Sequence, residues 1–319
     1  MYKSEMNFSI IVPLYNEGEN ITNLNDEILK VIKILLAENK FNFEILYVDD
    51  GSSDNTFEIL KSLKNIVSTT IIKNNKNLSQ SVSILNGIEV SAFENIILLD
   101  GDLQNDPNDF IPMIKEYIKN ENTVVHGFRK YRKDPYWSKI LPSKFANFIV
   151  RKLTNSKISD HGCSLKIFNK KIIETENFFG DFHRLFAAQI NQNIISIKEV
   201  EVNHRPRIKG KSNYGFERTF RVLIDLIFMN FTKSERSYFY TIGFLGLFSF
   251  FLSLVSFIYM VYLKLFLGIS FIATPLPVIF IFFSLAGLIF FSIVLMLETI
   301  KKMLSNQNVS KKRYEIFKK

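Results

Sequence analysis

The sequence has little cysteine and little histidine. Among 319 residues there is one cysteine, Cys163, and there are four histidines. A single thiol excludes a disulfide framework and any cysteine-rich zinc or iron–sulfur site, and four imidazoles leave little material for a histidine metal cluster. Hydrophobic residues make up 47% of the chain and charged residues 22%, which excludes a disordered protein. The length allows one large domain or two ordinary ones.

Charge is almost absent from one long segment. Residues 237–297 contain Lys264 and no other charged residue, and a membrane-spanning helix needs about 20 apolar residues. The segment therefore predicts two membrane spans, near Tyr238–Leu263 and Leu276–Leu297, joined by a turn that contains proline. The alternative is a buried hairpin in a soluble core, and it is disfavoured because uncharged runs of this length are rare in soluble domains.

The net charge of +9 lies mostly in a short tail. Residues 298–319 hold seven basic and two acidic side chains, whereas residues 1–236 carry only +3. This distribution favours a membrane-surface protein over a nucleic-acid-binding one. Basic residues precede the first predicted span and follow the second, which places both ends in the cytoplasm. We therefore expect a multi-pass protein of the cytoplasmic (inner) membrane that binds no nucleic acid.

Short β-rich runs alternate with helical patterns over residues 1–127. The predicted strands are Phe8–Leu14, Phe43–Val48, Val67–Ile72, Asn95–Leu99 and Thr123–Gly127. The predicted helices cover about 21–35, 56–63, 80–90 and 108–119. This alternation predicts an α/β fold with a mostly parallel, doubly wound sheet, which binds ligands beyond the carboxyl ends of its strands.

Polar clusters follow three of these strands, at residues 13–17, 49–54 and 100–104. Each cluster alone is compatible with ordinary turns and helix caps, and Asp54 is interpreted as a cap. Three clusters on one edge of a sheet predict a shared cleft. Because hard divalent cations prefer oxygen ligands, Asp100 and Asp102 predict a magnesium or manganese site.

Two later stretches are basic. Residues 128–152 hold eight Lys or Arg against one Asp, and residues 203–221 hold six against one Glu. Apolar side chains in the first stretch predict an amphipathic helix on an anionic membrane surface. The alternative is a helix that faces the core and has a solvated basic face. Residues 216–231 predict a second helix next to the membrane.

Several common motifs are absent. There is no Gly-x-Gly, which excludes the dinucleotide fingerprint, and no Gly-x-Ser-x-Gly, which leaves a hydrolase nucleophile unsupported. Gly210-Lys211-Ser212 imitates the end of a P-loop, but Arg205 stands where that motif needs glycine. Cys163 is interpreted as a small buried residue.

Taken together, the clusters resemble inverting family-2 glycosyltransferases with a GT-A fold, of the polyprenyl-phosphate type that includes dolichyl-phosphate mannose synthase. The resemblance covers roughly residues 7–232 and is carried by residues 12–17, 48–56, 100–104, 160–166 and 203–215. It implies a cytoplasmic GT-A domain with interfacial helices over residues 1–232. Two transmembrane helices would follow over 233–300, and a basic cytoplasmic tail over 301–319.

The resemblance also implies roles for individual residues. The implied nucleotide-sugar ligands are Pro13, Tyr15, Glu17, Asp49, Asp50, Asp100, Arg207 and Ser212. Asp100, Asp102 and Gln104 would hold Mg²⁺ or Mn²⁺ on the diphosphate. The implied catalytic residues are Asp102, Asp160, Arg205 and Lys211, and the candidates for the acceptor phosphate are Arg129 and Arg132. Two roles stay open for Asp160, which either orients or deprotonates the acceptor or caps the turn before Gly162.

The implied reaction is metal-dependent transfer of a sugar from a nucleoside-diphosphate sugar to a membrane polyprenyl phosphate. UDP-glucose is the favoured donor and GDP-mannose the alternative, while a diacylglycerol or another lipid remains an alternative acceptor. A processive polysaccharide synthase is disfavoured because its Gln-x-x-Arg-Trp motif is missing: Tyr136 precedes Trp137, the only tryptophan. A non-catalytic scaffold is disfavoured by the intact acidic and basic motifs. The resemblance further implies a homo-oligomer formed through the anchor.

Overall fold

The chain folds into two compact units, one of residues 1–227 with 312–319 and one of residues 228–311. The structure is a computed structural model. It describes residues 6–38, 40–119, 123–130, 143, 147–148, 150–152, 158–172, 186, 190, 195–206, 237–306 and 314–318.

An eight-stranded sheet organises the first unit. Its strands are β1 (Met6–Leu14), β2 (Phe41–Asp49), β3 (Ser68–Asn74), β4 (Asn95–Leu98), β5 (Thr123–Phe128), β6 (Lys166–Asn169), β7 (Ser196–Glu201) and β8 (Tyr314–Lys318). They lie in the order β7-β5-β6-β4-β1-β2-β3-β8. β1 pairs in parallel with β2 and β4, β2 with β3, and β5 with β7, whereas β6 and β8 run antiparallel to their neighbours. The prediction of a mostly parallel sheet is confirmed.

Four helices of this unit follow the predicted alternation. They are α1 (Gly18–Leu36), α2 (Thr56–Ser62), α3 (Gln80–Val90) and α4 (Phe110–Tyr117). The helix predicted from residue 108 begins instead with a 3₁₀ turn, Pro107–Asp109. The Asp106 side chain accepts a hydrogen bond from the Asn108 N–H at 3.0 Å, and the proline needs no donor there, so the turn is capped before α4 starts.

Side chains on the central strands alternate between two cores. Ile10 and Val12 of β1 belong to the same buried cluster as Leu24 of α1, whereas Ile11 belongs to a second cluster with Ile84 of α3. This period of two places helices on both faces of the sheet. With both faces covered, the ends of the strands are the parts of the sheet left open to a ligand.

β8 lies at one edge of the sheet, antiparallel to β3, with Thr70 opposite Lys318 and Asn74 opposite Tyr314. The Phe317 ring packs 5.2 Å from the Phe57 ring. The prediction of a basic tail over residues 301–319 is therefore wrong in part, because residues 314–318 form a strand of the sheet. Their pairing partner lies far away in the sequence, so no local pattern reveals it.

The second unit is a helical hairpin of α5 (Ser237–Leu267) and α6 (Leu276–Asn306). The Ser253 and Ser284 hydroxyls are 2.6 Å apart across it, and a Cβ on Gly287 would lie only 3.0 Å from the Phe250 ring. Small residues therefore let the two helices approach closely.

Residues 242–267 and 276–297 of the hairpin are long and apolar enough to cross a membrane. The first span thus begins and ends four residues later than predicted, and the second agrees with its prediction. Leu247 and Phe266 are 71% and 73% exposed, and many other large apolar side chains of both helices are also exposed. Such a surface is unlike the buried core helix of a soluble protein.

Candidate functional site

The loops that follow β1, β2 and β4 meet at the carboxyl edge of the sheet. The Asp50 N–H donates to the Leu14 carbonyl at 2.8 Å, which joins the first two loops. A Cβ on Gly101 would lie 2.3 Å from Leu14 Cδ2 and 3.4 Å from the Pro13 carbonyl oxygen, so the β4 loop packs directly on the first loop. The predicted convergence of the three polar clusters is therefore seen in the fold.

The β1 and β2 loops are also tied together by side chains. Asn16 has a positive φ of 57°, and its Oδ1 accepts a hydrogen bond from the Ser53 N–H at 2.8 Å. Asp54 Oδ1 accepts from the Thr56 N–H at 3.0 Å at the start of α2, and Asp54 Oδ2 accepts from the Gly18 N–H at the start of α1. The interpretation of Asp54 as a cap agrees with these contacts.

Asp49 is fully buried at the end of β2. Its Oδ1 accepts from the Ser52 N–H at 3.0 Å, while Oδ2 has no hydrogen-bond partner among the described residues. A buried carboxylate oxygen without a donor is costly, so this atom suits a ligand N–H. In the β1 loop, Tyr15 is 43% exposed, Pro13 is buried and Glu17 is half-buried.

Asp50 differs from Asp49 because both of its oxygens are occupied. Oδ1 accepts from Asn74 Nδ2 at 2.8 Å and from the Leu78 N–H at 2.9 Å, and Oδ2 accepts from the Ser79 N–H at 3.0 Å. The side chain is only 4% exposed. These contacts direct Asp50 to the turn before α3 rather than to the open edge where the nucleotide was expected.

Asp100 and Asp102 lie side by side in the β4 loop. Burial raises the pKa of Asp100, and the charge of Asp102 raises it further. Leu103, between Asp102 and Gln104, is buried with a φ of 60°. That left-handed conformation is uncommon for leucine and is typical of functional sites, where the surrounding structure maintains the strain.

The donor set of this loop fits a divalent cation. Two carboxylates that repel each other supply hard oxygen ligands, which Mg²⁺ and Mn²⁺ prefer. Among the described residues no group of three or more His, Cys, Asp or Glu side chains could hold a metal ion, so further ligands would come from the Gln104 amide, water or a bound phosphate. The Gln104 N–H donates to Asp102 Oδ1 at 3.1 Å, and Gln104 Nε2 lies 3.5 Å from the Arg205 carbonyl.

A buried cation, Lys166, interacts electrostatically with Asp100. Lys166 is 1% exposed, and its Nζ donates to the Cys163 carbonyl at 2.5 Å. Burial lowers the pKa of Lys166 to about 8, and the charge of Asp100 acts in the opposite direction. Ser164 donates a hydrogen bond to Asp100 and accepts one from Asn105 Nδ2 at 2.7 Å. The Asp100 carboxylate is thus stabilised by a hydrogen bond from the Ser164 hydroxyl and by the charge of Lys166.

Arg129 and Asp160 form a bidentate ion pair. Arg129 Nε donates to Asp160 Oδ2 at 2.7 Å, and Nη2 donates to Oδ1 at 2.9 Å. Both side chains are nearly buried, and a Cβ on Gly162 would lie 3.0 Å from Arg129 Nη2. The geometry holds Asp160 on the guanidinium, which favours a positioning role over proton abstraction.

Arg205 lies between two acidic side chains. Its guanidinium contacts Glu27 of α1 and Asp106 of the β4 loop, each at 2.7 Å. The Arg205 N–H donates to the Gln104 carbonyl at 2.9 Å. Arg205 therefore joins the start of the second basic stretch to the loop that carries Asp102 and Gln104.

Four of the predicted site residues lie outside the described residues: Arg132, Arg207, Lys211 and Ser212. Most of the predicted interfacial helix in 128–152 and all of the helix predicted at 216–231 lie outside them as well. Cys163 is fully buried, and burial raises the pKa of its thiol to about 11. Its interpretation as a core residue agrees with this placement.

Three residues that contact or support Asp100 were missed by sequence reasoning: Gln80, Ser164 and Lys166. Gln80 Nε2 donates to Asp100 Oδ1 at 2.7 Å. A glutamine at a helix start and a lysine in a strand are both read as solvent-facing from sequence alone. The only signal available was that Ser164 and Lys166 fall within the 160–166 motif.

Comparison with known proteins identifies the family of the chain. The model of the family described as "Glycosyl transferase family 2" matches residues 9–176. The chain is 32% identical to the dodecaprenyl-phosphate galacturonate synthase of Rhizobium johnstonii over 252 residues, 76% of this chain and 72% of the relative. It is 31% identical over 221 residues to the undecaprenyl-phosphate 4-deoxy-4-formamido-L-arabinose transferase of Proteus mirabilis, which covers 69% of this chain and 66% of that protein.

Solved structures with the same fold share little sequence with this chain. The mannosyl-3-phosphoglycerate synthase of Rubrobacter xylanophilus has a TM-score of 0.53 at 12% identity, covering 73% of this chain and 76% of that one. The glucosyl-3-phosphoglycerate synthase of Mycobacterium tuberculosis, in complex with Mn²⁺, UDP-glucose and phosphoglyceric acid, has a TM-score of 0.51 at 14% identity, covering 70% and 80%. The expected GT-A fold is confirmed, and the chain belongs to glycosyl transferase family 2.

Proposed function

We propose that this glycosyltransferase moves a sugar from a nucleoside-diphosphate sugar to a membrane polyprenyl phosphate. The observation that carries the proposal is the Asp100–Asp102 pair at the open edge of the sheet. The same polypeptide also contains an apolar hairpin that is long enough to cross a membrane. Both named relatives use a polyprenyl phosphate, and each transfers a different sugar. UDP-glucose is the first donor to test, with GDP-mannose second.

The donor would lie across the β1, β2 and β4 loops. Asp49 Oδ2, which lacks a donor among the described residues, would accept an N–H from the base, and the exposed Tyr15 ring offers a stacking surface. Asp100, Asp102 and Gln104 would hold Mg²⁺ or Mn²⁺, which when bound neutralises charge on the departing diphosphate.

The acceptor needs little activation. A phosphate monoester has a second pKa of about 6, so its oxygen is mostly ionised at neutral pH. That oxygen forms a bond to the anomeric carbon while the bond from this carbon to the diphosphate breaks, which releases nucleoside diphosphate and inverts the centre. Arg129, oriented by Asp160, would hold the acceptor phosphate. Catalysis is then positioning and electrostatic stabilisation, with Arg132, Arg207, Lys211 and Ser212 as further phosphate contacts.

The strand order of the sheet is an argument that the hairpin crosses the membrane twice. β7 precedes the hairpin in sequence and β8 follows it, and both are strands of the same sheet. Strands of one sheet share a compartment, so the chain between them must cross an even number of times. With the basic flanks, this supports a cytoplasmic catalytic unit. A cysteine introduced at Ser270 should react with an impermeant maleimide in intact cells, and one at Ser53 should not; the reverse pattern would contradict this topology.

The proposal is tested with the full chain in detergent or vesicles containing undecaprenyl phosphate. A panel of donors should give one polyprenyl-phosphate sugar, identified by mass, together with nucleoside diphosphate. EDTA or Asp102→Asn should lower turnover about a hundredfold or more, because the metal is worth several kcal/mol. Asp26→Asn changes an exposed Asp on α1 and serves as the matched control, with unchanged turnover.

Each alternative has its own outcome in this assay. A product formed on diacylglycerol instead would establish the other acceptor class. Turnover that persists in EDTA would remove the metal assignment. An absence of binding to every nucleotide sugar would revive the non-catalytic scaffold.

A further inference from the structure

The carboxylate of Asp100 is held by a helix that lies outside the predicted motifs. Gln80, the first residue of α3, donates from Nε2 to Asp100 Oδ1 at 2.7 Å. The contact links two segments twenty residues apart in sequence. It fixes one oxygen of a residue that the proposed function makes a metal ligand, and the following inference rests on that function.

The turn that delivers Gln80 is strained. Ser79 has φ 106° and ψ 154°, a region that is essentially restricted to glycine. Such a conformation persists only when its surroundings enforce it. Here Asp50 enforces it, because its oxygens accept hydrogen bonds from the Leu78 and Ser79 N–H groups at 2.9 and 3.0 Å.

The β2 loop also makes room for this turn. Gly51 has a φ of 69°, and a Cβ there would lie 2.5 Å from the Lys76 carbonyl carbon and 2.8 Å from the Asn77 nitrogen. Only glycine satisfies both the conformation and the close approach. The turn before α3 therefore packs against Gly51 and is hydrogen-bonded to Asp50.

Buried neutral side chains anchor the same element. Asn74 Nδ2 donates to Asp50 Oδ1 and to Ser83 Oγ, at 2.8 and 3.0 Å, and Asn74 Oδ1 accepts from Asn86 Nδ2 at 2.8 Å. Asn74, Ser83 and Asn86 are each at most 7% exposed. The network joins the end of β3 to α3 and fixes where the helix begins.

We propose that Gln80 is a positioning residue for Asp100: set in place by Asp50 through the strained Ser79 turn, it orients the carboxylate for a divalent cation shared with Asp102. Partners that hydrogen-bond to a metal ligand typically contribute 10- to 100-fold to metal affinity. A purely structural hydrogen bond at the helix start would contribute to stability and leave metal affinity unchanged.

Mn²⁺ is the probe, and its binding is measured by electron paramagnetic resonance on the full chain in detergent, with and without UDP. Gln80→Met keeps the side-chain length and removes the amide. We expect this variant to bind Mn²⁺ about 10- to 100-fold more weakly. The Mn²⁺ concentration for half-maximal transfer should rise by the same factor, and kcat at saturating Mn²⁺ should recover.

Asn75→Ala is the matched control, because Asn75 is exposed in the same turn, and it should bind Mn²⁺ as the unchanged chain does. If Gln80→Met binds Mn²⁺ within about twofold of Asn75→Ala, the inference is overturned. It is also overturned if the unchanged chain binds no Mn²⁺. Failure of the unchanged chain to transfer any sugar, with Mn²⁺ binding still sensitive to Gln80, would reject the proposed function and leave Gln80 as a metal-positioning residue.

Discussion

The loops after β2 and β4 both carry paired acidic side chains at the same edge of the sheet, yet the structure supports them differently. Asp50 of the β2 loop is saturated by three donors, and neutral side chains lie behind it, namely Asn74, Ser83 and Asn86. Asp100 of the β4 loop interacts instead with the buried, titratable Lys166, and His126 and His161 interact electrostatically with that lysine. The two carboxylates therefore differ in their surroundings: Asp50 is held by neutral donors alone, whereas Asp100 has an amide, a hydroxyl and a nearby ammonium group.

The largest expected effect separates Asp50 from Asp102. Asp50→Ala leaves two backbone N–H groups and the Asn74 amide without their acceptor, and each buried unsatisfied donor costs about 1–3 kcal/mol. We expect the variant to lose about 3 kcal/mol or more, which lowers the melting temperature by about 2–4 °C per kcal/mol in a domain of this size.

Thermal unfolding in detergent measures this effect, and Asp102→Asn is the comparison. The second variant should unfold near the temperature of the unchanged chain while its transfer is lost. Equal melting temperatures for Asp50→Ala and Asp102→Asn would erase the contrast between the two loops.

Sequence reasoning was most successful where the signal is local. The strand predictions for β1 to β5 differ from the structure by at most two residues at either end, and α3 matches its prediction. β6 has four residues and β8 lies beyond the hairpin, so each depends on partners distant in the sequence. The Asp100–Asp102 pair could be predicted because two aspartates one residue apart after a strand form a recognisable local motif. Gln80 was missed because its role depends on a backbone angle at Ser79 that composition does not encode.

A second prediction concerns the backbone strain at Ser79, in the turn that Asp50 holds before α3. Ser79→Gly replaces a residue in a nearly forbidden conformation with the one that tolerates it, while the Ser79 N–H bond to Asp50 remains. The relief is about 1–3 kcal/mol, so the melting temperature should rise and Mn²⁺ affinity should be retained. A variant that melts below the unchanged chain would show that the turn is held by the serine side chain rather than by Asp50.

The smallest expected effect is the pH dependence that His161, one of the titratable groups near Lys166, gives to the stability of the protein. His161 is buried, with no hydrogen-bond partner for either ring nitrogen among the described residues. Burial lowers the pKa of His161 to about 4, although the charge of Asp160 partly opposes this. Since an unfolded histidine titrates near pH 6.5, the unfolded chain binds more protons between these two values, and stability falls as the pH is lowered through this window.

At pH 5.5 this term amounts to about 1.4 kcal/mol, one pKa unit below the unfolded value, or about 3–6 °C in melting temperature. His161→Phe removes it while His126 and Lys166 stay in place, so the difference between the two chains isolates one imidazole. We expect the melting temperatures to diverge between pH 7 and 5.5, with the unchanged chain falling further. If the melting temperatures of the two chains change in parallel with pH, His161 takes up its proton as readily in the folded state as in the unfolded state. His161 would then add no pH dependence to stability, like the neutral side chains that surround Asp50.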